Sequence, residues 1–153
     1  KQKMIVLVGM KDGHPYEIFV TDNPGGIIEL DKHKKGVIHK QKRGVYNLEV
    51  VNGKTEILIE NISKVFADQY GALSRMVSMS LRHRVPLQFI VDQLLKTKQF
   101  IAFEKSVARI LKKYIKENEK VLSSDKCPDC NADMIYVEGC KTCGAMCGHS
   151  ACS

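Results

Sequence analysis

Residues 45–60 have the sequence VYNLEVVNGKTEILIE, and this stretch decides the first half of the fold. Apolar and polar residues alternate on both sides of Asn52-Gly53, which is the period of a half-buried strand. Asn-Gly between two such runs is the strongest short-range hairpin signal, because both residues tolerate the positive φ of a type I′ turn. We therefore predict strands over residues 45–51 and 55–60, joined by a hairpin turn at Asn52-Gly53.

The chain upstream of this hairpin shows the same strand period. Candidate strands are MIVLV (4–8), YEIFV (16–20) and GVIHK (36–40), with turns at Lys11-Asp12-Gly13 and at Asn23-Pro24-Gly25-Gly26. Gly25-Gly26 is not placed between a strand and a helix, so we interpret it as a turn and not as a phosphate-binding loop. Residues 4–62 are therefore predicted to form an antiparallel β meander.

Downstream of the hairpin the apolar period changes from 2 to 3.6, which indicates helices. The second helix is expected to begin at Pro86, a favoured first-turn residue, and the third to span about 101–117. The residues expected to face the core are Phe66, Tyr70, Leu73, Met76, Met79, Val77 and Leu81, then Phe89, Ile90, Leu94 and Leu95, then Phe103, Val107, Ile110, Leu111 and Tyr114. A sheet followed by helices predicts the α+β class, with the helices on one sheet face.

The length of 153 residues allows one main core and a small appendage. The segment NEKVLSSDK (118–126) is polar and weakly periodic, which is typical of a linker. We therefore predict an α+β body over residues 1–117, a flexible linker over 118–126, and a separate tail over 127–153. Because the first residue is Lys1, we expect the chain to begin inside a longer polypeptide.

The composition is that of a globular protein, with 44% hydrophobic and 27% charged residues. A net charge of +7 could attract a polyanion, but the lysines are scattered, so a solvated basic surface, a nucleic-acid groove and an acidic partner all stay open. No apolar run approaches the ~20 residues of a membrane span, and we expect no membrane contact. The first 126 residues contain no cysteine, which favours a reducing, cytoplasmic compartment.

All six cysteines lie in the tail, CPDCNADMIYVEGCKTCGAMCGHSACS. Two C-x2-C pairs, Cys127/Cys130 and Cys140/Cys143, can each form a tight turn, and two facing turns supply four sulfurs to a tetrahedral zinc ion. So short a segment cannot build a useful apolar core, and metal ligation must supply most of its folding energy. We therefore predict a structural zinc site made of Cys127, Cys130, Cys140 and Cys143.

Cys147 and Cys152 remain, and we predict that they form a redox-active pair. The residues between them include small ones that let the loop close, and exposed thiols near a chain end oxidise readily. Two alternatives stay open. In one, the ligand set is Cys127, Cys130, Cys143 and Cys147, and Cys140 is free. In the other, the two remaining thiols are idle at a frayed terminus.

Four stretches occur in one order along nearly the whole chain: GMKDGHPYEIFV, GVYNLEV with its hairpin, ALSRMVSMSLRHRVPLQFIVDQLLK, and CPDC, EGCKTC and CGHSAC. This ordered set resembles the C-terminal portion of adenosylcobalamin-dependent (class II) ribonucleotide reductases. In that family an α/β barrel that binds nucleotide and cobalamin lies upstream, so the resemblance implies that this fragment is inactive alone. The tail departs from the family pattern by one extra residue in Gly144-Ala145-Met146.

The resemblance also implies a role for the tail. Cys147 and Cys152 would reduce the disulfide formed in the barrel during conversion of a ribonucleotide to a deoxyribonucleotide, and thioredoxin or a similar protein would then reduce them. Positive charge on His149, Lys141 or the zinc site would favour the reactive thiolate. The rival hypothesis is a stand-alone nucleic-acid-binding protein with a zinc ribbon. It predicts aromatic residues interleaved with basic ones, and the tail offers only Tyr136.

Overall fold

The computed structural model describes residues 4–22, 35–52, 55–66, 70–96 and 102–152. The chain divides into two compact units, a first unit over Lys1–Arg82 and a second unit over His83–Ser153. Helices and antiparallel strands occur in both, and the α+β class is confirmed. Among the described residues, no helix combines the length and the apolar composition that crossing a bilayer requires.

The first unit contains the predicted meander. Its elements are β1 (Ile5–Lys11), β2 (His14–Thr21), β3 (Val37–Lys42), β4 (Val45–Asn52), β5 (Thr55–Ile59), α1 (Ile62–Val65) and α2 (Gly71–Arg82). The strands form a two-stranded sheet, β1-β2, and a three-stranded sheet, β3-β4-β5, both antiparallel. Asn52 pairs with Thr55, as the hairpin requires, while Gly53 and the predicted turn at 23–26 lie outside the described residues.

The β1-β2 hairpin is covered on both faces, because successive side chains of a strand point to opposite sides. On one face, Phe19 lies edge-on to Tyr46 and Phe66, with ring centroids 5.7 and 6.3 Å away, at the core formed with β4 and α1. On the other side, α2 packs against β2, whose Ile18 and Val20 are buried. The first unit is therefore a layer of strands between a second sheet and a helix.

The buried face of α2 is narrower than the sequence pattern predicts. Phe66, Tyr70, Val77 and Leu81 are buried as expected, whereas the expectation is wrong for Leu73, Met76 and Met79, which are 45%, 58% and 47% exposed. The reason is that α2 contacts β2 on the side that carries two buried serines, Ser74 and Ser78. Leu73 and the two methionines lie on the side of the helix away from this contact. The Ser78 hydroxyl accepts the N–H of Ile18 at 3.0 Å and donates to the Ser74 carbonyl at 2.7 Å.

We expect Ser78→Ala to lower the free energy of unfolding by about 1–3 kcal/mol, because it leaves the buried Ile18 N–H without its acceptor. Ser80→Ala is the matched control. Its hydroxyl donates to the Met76 carbonyl at 3.2 Å on the exposed side, and its loss should change stability by less than about 0.5 kcal/mol. Urea denaturation of the two variants measures the difference, and equal effects would show that the Ser78 contact does not stabilise the helix on the sheet.

The second unit consists of two helices and a small sheet, namely α3 (Leu87–Leu95), α4 (Ala102–Lys112), β6 (Met134–Val137), β7 (Cys140–Cys143) and β8 (Ser150–Ala151). α3 begins at Leu87, one residue after the predicted start, and Pro86 is its N-cap residue. Ile90, Phe103, Val107 and Leu111 are buried, as predicted.

Two predictions of burial in this unit are wrong. Phe89 is 45% exposed because α3 buries the face that carries Gln88, Ile90 and Val91. Tyr114 is exposed because α4 ends at Lys112, and the helical phase that would turn this ring inward is lost. Ile101, the expected start of the third helix, lies outside the described residues.

The segment expected to be a flexible linker, 118–126, is bound along the sheet. Asn118 N and Val121 N donate to the carbonyls of Tyr136 and Met134 at 2.8 and 2.9 Å, and Tyr136 N donates to the Glu119 carbonyl at 2.9 Å. The polar composition of this segment gives no sign of these bonds, because they are made by the backbone. The cysteine-rich tail is therefore part of the second unit together with α3 and α4.

Candidate metal centre and disulfide

The first C-x2-C pair forms a tight turn. Cys127 N donates to the Ala132 carbonyl at 2.9 Å, and Asn131 N donates to the Cys127 carbonyl at 2.8 Å. Asn131 has φ of +58°, a conformation that Asn tolerates better than most residues. The backbone N–H of Ala132 also donates to the Cys130 sulfur. This turn therefore directs two sulfurs toward one point, as the spacing predicts.

The second turn runs from Cys143 to Cys147 and not from Cys140 to Cys143. Met146 N donates to the Cys143 carbonyl at 3.1 Å, and Gly144 N donates to the Asp133 carbonyl at 2.9 Å. A Cβ at Gly144 would lie 2.9 Å from that same carbonyl oxygen, so the close approach requires glycine. The turn formed by the three residues between the two cysteines thus packs directly against Asp133, the residue that precedes β6.

The two turns bring four sulfurs together, and we call Cys127, Cys130, Cys143 and Cys147 the thiol cluster. All four sulfurs lie within 4.8 Å of one another. The Cys127 and Cys147 sulfurs are 3.4 Å apart, and those of Cys130 and Cys143 are 3.3 Å apart. Zinc–sulfur bonds of ~2.3 Å place tetrahedral sulfurs roughly 3.8 Å apart, so the spacing suits an ion of this size.

The protonation of the thiol cluster also fits a cation. The N–H of Cys147 donates to the Cys143 sulfur and, against the effect of burial, lowers the pKa of Cys143 to about 6. The N–H of His149 favours a thiolate at Cys147, but hydrogen bonds with the sulfurs of Cys143 and Cys127 outweigh it and raise the pKa of Cys147 to about 12. Four sulfurs this close cannot all ionise without a positive charge between them, and thiolates are the ligands that zinc prefers.

Cys140 does not join the thiol cluster. It lies at the start of β7, where it pairs with Val137, and Cys143 lies at the end of the same strand, where it pairs with Met134. Residues three apart in a strand point to opposite faces and are separated by about 10 Å along it. The structure thus differs from the expected grouping of Cys127, Cys130, Cys140 and Cys143, and Cys147 stands in place of Cys140.

Cys140 is instead joined to Cys152 by a disulfide, with the two Cα atoms 4.7 Å apart. The bridge continues the pairing of β7 with β8, in which Thr142 lies opposite Ser150 and Lys141 opposite Ala151. Cys152 is exposed, and Cys140 is half-buried. The predicted redox pair was Cys147 with Cys152, whereas in the structure Cys152 is bonded to Cys140. The reason is that Cys147, and not Cys140, lies in the thiol cluster.

A signal in the sequence could have located Cys140. MIYV and CKTC flank Glu138-Gly139, and this turn has φ of +50° and +77°, as a two-residue hairpin requires. Reading 134–143 as a hairpin would have placed Cys140 and Cys143 on one strand. The C-x2-C spacing obscured this, because the same spacing occurs in zinc-binding turns.

Both side chains that were expected to favour a thiolate, Lys141 and His149, contact carboxylates. Lys141 Nζ lies 3.3 Å from Asp92 Oδ1 and 3.7 Å from Asp125 Oδ2. His149 Nδ1 lies 3.1 Å from Asp129 Oδ2, which links the second turn to the first. These contacts give both side chains a structural role in holding the tail together.

The segment 118–126, which leads into the tail, is held on α3 by a residue that the sequence pattern did not single out. Gln88 on α3 is only 1% exposed. Its Nε2 donates to Glu119 Oε1 at 2.7 Å and to the Lys120 carbonyl at 2.9 Å, and its Oε1 accepts the N–H of Leu122 at 2.8 Å. A single buried amide leaves no periodic pattern in the sequence, so the role of Gln88 can be recognised only from its contacts in the structure.

The turn of the β6-β7 hairpin makes a second docking contact. The Glu117 carboxylate accepts the N–H of Glu138 at 3.0 and 3.2 Å, and Gly139 lies so close to α4 that an added Cβ would be 3.3 Å from the Lys112 Cβ. Tyr136, the ring on which the rival hypothesis depends, is 2% exposed, and burial raises the pKa of its hydroxyl to about 12. A ring so buried offers no face on which a base could stack.

Comparison with known proteins identifies a family for the part of the chain that precedes the tail. Residues 1–116 match the family model described as the NrdJ homologue C-terminal domain. NrdJ is the class II, adenosylcobalamin-dependent ribonucleotide reductase. Comparison with curated proteins and with solved structures found no match. The matched region includes the first unit, α3 and α4, and it ends before the first cysteine of the tail.

Proposed function

The chain belongs to the family of NrdJ homologue C-terminal domains, and from this premise we propose that it is the C-terminal part of an adenosylcobalamin-dependent ribonucleotide reductase and carries a dithiol shuttle. The shuttle pair is Cys140 and Cys152, and the thiol cluster holds a structural zinc ion. One observation carries the proposal: the six cysteines divide into a four-sulfur cluster and one separate disulfide on the same small sheet.

Zinc bound to the thiol cluster would supply the cross-link that a tail with so small a core needs to stay folded. The chain's own groups prepare that site. Backbone N–H groups of Ala132, Ala145 and Cys147 donate to the sulfurs and stabilise their ionised form. Cys147 is assigned to the metal and not to the shuttle because its sulfur lies 3.4 Å from that of Cys127.

Cys140 and Cys152 would exchange electrons by thiol–disulfide exchange. In the reduced state the two thiols give two electrons and two protons to a disulfide in the reductase's catalytic barrel, which becomes two thiols. The pair is left as the disulfide seen here. A dithiol protein such as thioredoxin then reverses the change in a reducing, cytoplasmic compartment. Nucleotide and adenosylcobalamin would bind in the barrel, and no residue of this chain is assigned to either.

The test uses the full-length reductase with Cys140→Ser and Cys152→Ser. With thioredoxin, thioredoxin reductase and NADPH as the reductant, each variant should stop after the turnovers that its initial thiols support. With dithiothreitol, a small dithiol able to enter the barrel, each should keep nearly the wild-type rate. Ser150→Ala, on exposed β8 between the two sites, is the control and should be active with both reductants.

Equal activity of the cysteine variants with both reductants would refute the shuttle. If Cys147→Ser alone lost the thioredoxin-dependent activity while keeping its metal, the shuttle pair would be the one that the sequence pattern first indicated. Zinc content is therefore measured on every variant before the activity assay.

A further inference from the structure

We propose that the two cysteines of the disulfide have different and fixed roles: Cys152 forms the mixed disulfide with each redox partner, and Cys140 resolves it. This inference rests on the proposed function and adds the order of the exchange steps to it. The two cysteines differ in how firmly the sheet holds them.

Cys140 is held by its surroundings. It belongs to β7, the central strand of the order β6-β7-β8, and pairs with Val137 of β6. The next residue, Lys141, is tied to Asp92 of α3, and the strand ends at the buried Cys143 of the thiol cluster. The Cys140 sulfur therefore cannot move toward a protein partner without separation of β7 from its neighbours.

Cys152 is held much more weakly. It follows β8, an edge strand of two exposed residues that pair with Lys141 and Thr142. The hydroxyls of Thr142 and Ser150 lie 3.3 Å apart, and Cys143 N donates to the His149 carbonyl at 3.0 Å. A segment with few buried contacts and exposed hydrogen bonds opens at low free-energy cost. Reduction of the disulfide would therefore free Cys152 from the sheet while Cys140 stays in it.

The anchor of this movable segment is Cys147 in the thiol cluster. Cys152 lies five residue steps beyond that anchor along the chain, which allows a reach of up to ~17 Å when extended. Gly148 has φ of +97°, and in the part of the chain that the structure describes, its two chain neighbours apart, no atom lies within 4 Å of the position that a Cβ would take. The segment can thus turn at Gly148, once the exposed contact between His149 and Asp129 opens, and present Cys152 to a partner without displacing the other three sulfurs of the cluster.

The exchange steps then follow in one order. The Cys152 thiolate attacks one sulfur of the partner's disulfide, whose S–S bond breaks, and the other partner sulfur leaves as a thiolate and takes up a proton. The Cys140 thiolate next attacks the Cys152 sulfur, which forms the observed bridge and releases the second partner thiol. In the reverse direction, one thiolate of a reducing dithiol attacks the Cys152 sulfur, and Cys140 leaves as the thiolate. The second thiolate of the reductant then attacks its own sulfur in the mixed disulfide, which forms the reductant's disulfide and releases Cys152 as the thiolate.

The test compares Cys140→Ser and Cys152→Ser in the 153-residue chain loaded with zinc, so that each variant keeps one of the two thiols. The probe is a thioredoxin with its resolving cysteine changed to serine and its remaining thiol activated as a mixed disulfide with thionitrobenzoate. Release of thionitrobenzoate gives the rate, and mass spectrometry identifies the cysteine that is modified. We expect Cys140→Ser, which keeps Cys152, to react at least about tenfold faster, because exchange rates follow access to the thiol.

Equal rates, or a faster reaction of Cys152→Ser, would overturn the assignment of roles and leave the shuttle intact. Failure of the proposed function looks different. In that case the reduced, zinc-loaded wild-type chain would not form the Cys140–Cys152 disulfide on oxidation, and neither variant would react with the activated thioredoxin or with oxidised glutathione.

Discussion

Cys147→Ala should abolish stable zinc binding and unfold the tail, whereas Cys140→Ala should keep one zinc ion per chain. The reason is that the Cys147 sulfur lies in the thiol cluster and the Cys140 sulfur lies on the other face of β7. Structural zinc sites contribute about 10–16 kcal/mol of binding energy, most of which becomes folding energy in a small metal-held segment. Loss of one of four thiolates is therefore expected to be one of the largest single effects in this chain.

Zinc per chain is measured by elemental analysis after dialysis against a weak chelator, and the fold of the tail is followed by the amide NMR signals of 127–152. Cys152→Ala is the matched control for Cys140→Ala. Both substitutions remove the disulfide, and both leave the four sulfurs of the thiol cluster in place. The reverse pattern, with zinc lost from Cys140→Ala and kept by Cys147→Ala, would establish the C-x2-C ligand set Cys127, Cys130, Cys140 and Cys143 instead.

Gln88→Ala should have the second large effect, a loss of about 2–4 kcal/mol in the free energy of unfolding of the second unit. The substitution removes three part-buried hydrogen bonds to 119–122, each of which contributes about 1 kcal/mol. The N–H of Leu122, which donates to Gln88 Oε1, should then exchange with solvent markedly faster in hydrogen-exchange measurements.

Gln93→Ala is the control on the same helix, because Gln93 is exposed and its loss should be nearly neutral. Gln88→Glu tests the chemistry of the contact. It keeps the size of the side chain but replaces the amide donor by a carboxylate facing Glu119, so it should destabilise at least as much as alanine does. If the Gln88 and Gln93 variants had the same stability, 118–126 would behave as the flexible linker that its composition predicts.

The periodicity of apolar residues predicts much of the secondary structure in both units. The alternation on both sides of Asn52-Gly53 and the change to a helical period downstream predict the strands, the α+β class and a helix that begins at Pro86. The strands and the class are confirmed, and α3 begins one residue later, at Leu87. The same periodicity assigned Met76 and Met79 to the core incorrectly. Apolar residues span more of the α2 surface than the sheet can cover, and the close contact is made by Ser74 and Ser78.

The sequence by itself determined the strands, the helices and the chemical type of the site, because backbone periods and thiol chemistry are properties of neighbouring residues. The tertiary structure alone decided which sulfurs meet. Cys140 and Cys143 are close in sequence but lie on opposite faces of β7, whereas Cys147 and Cys127 are 20 residues apart and their sulfurs lie 3.4 Å from each other. Strand register and turn closure set these distances through space, and residue spacing along the chain does not encode them uniquely.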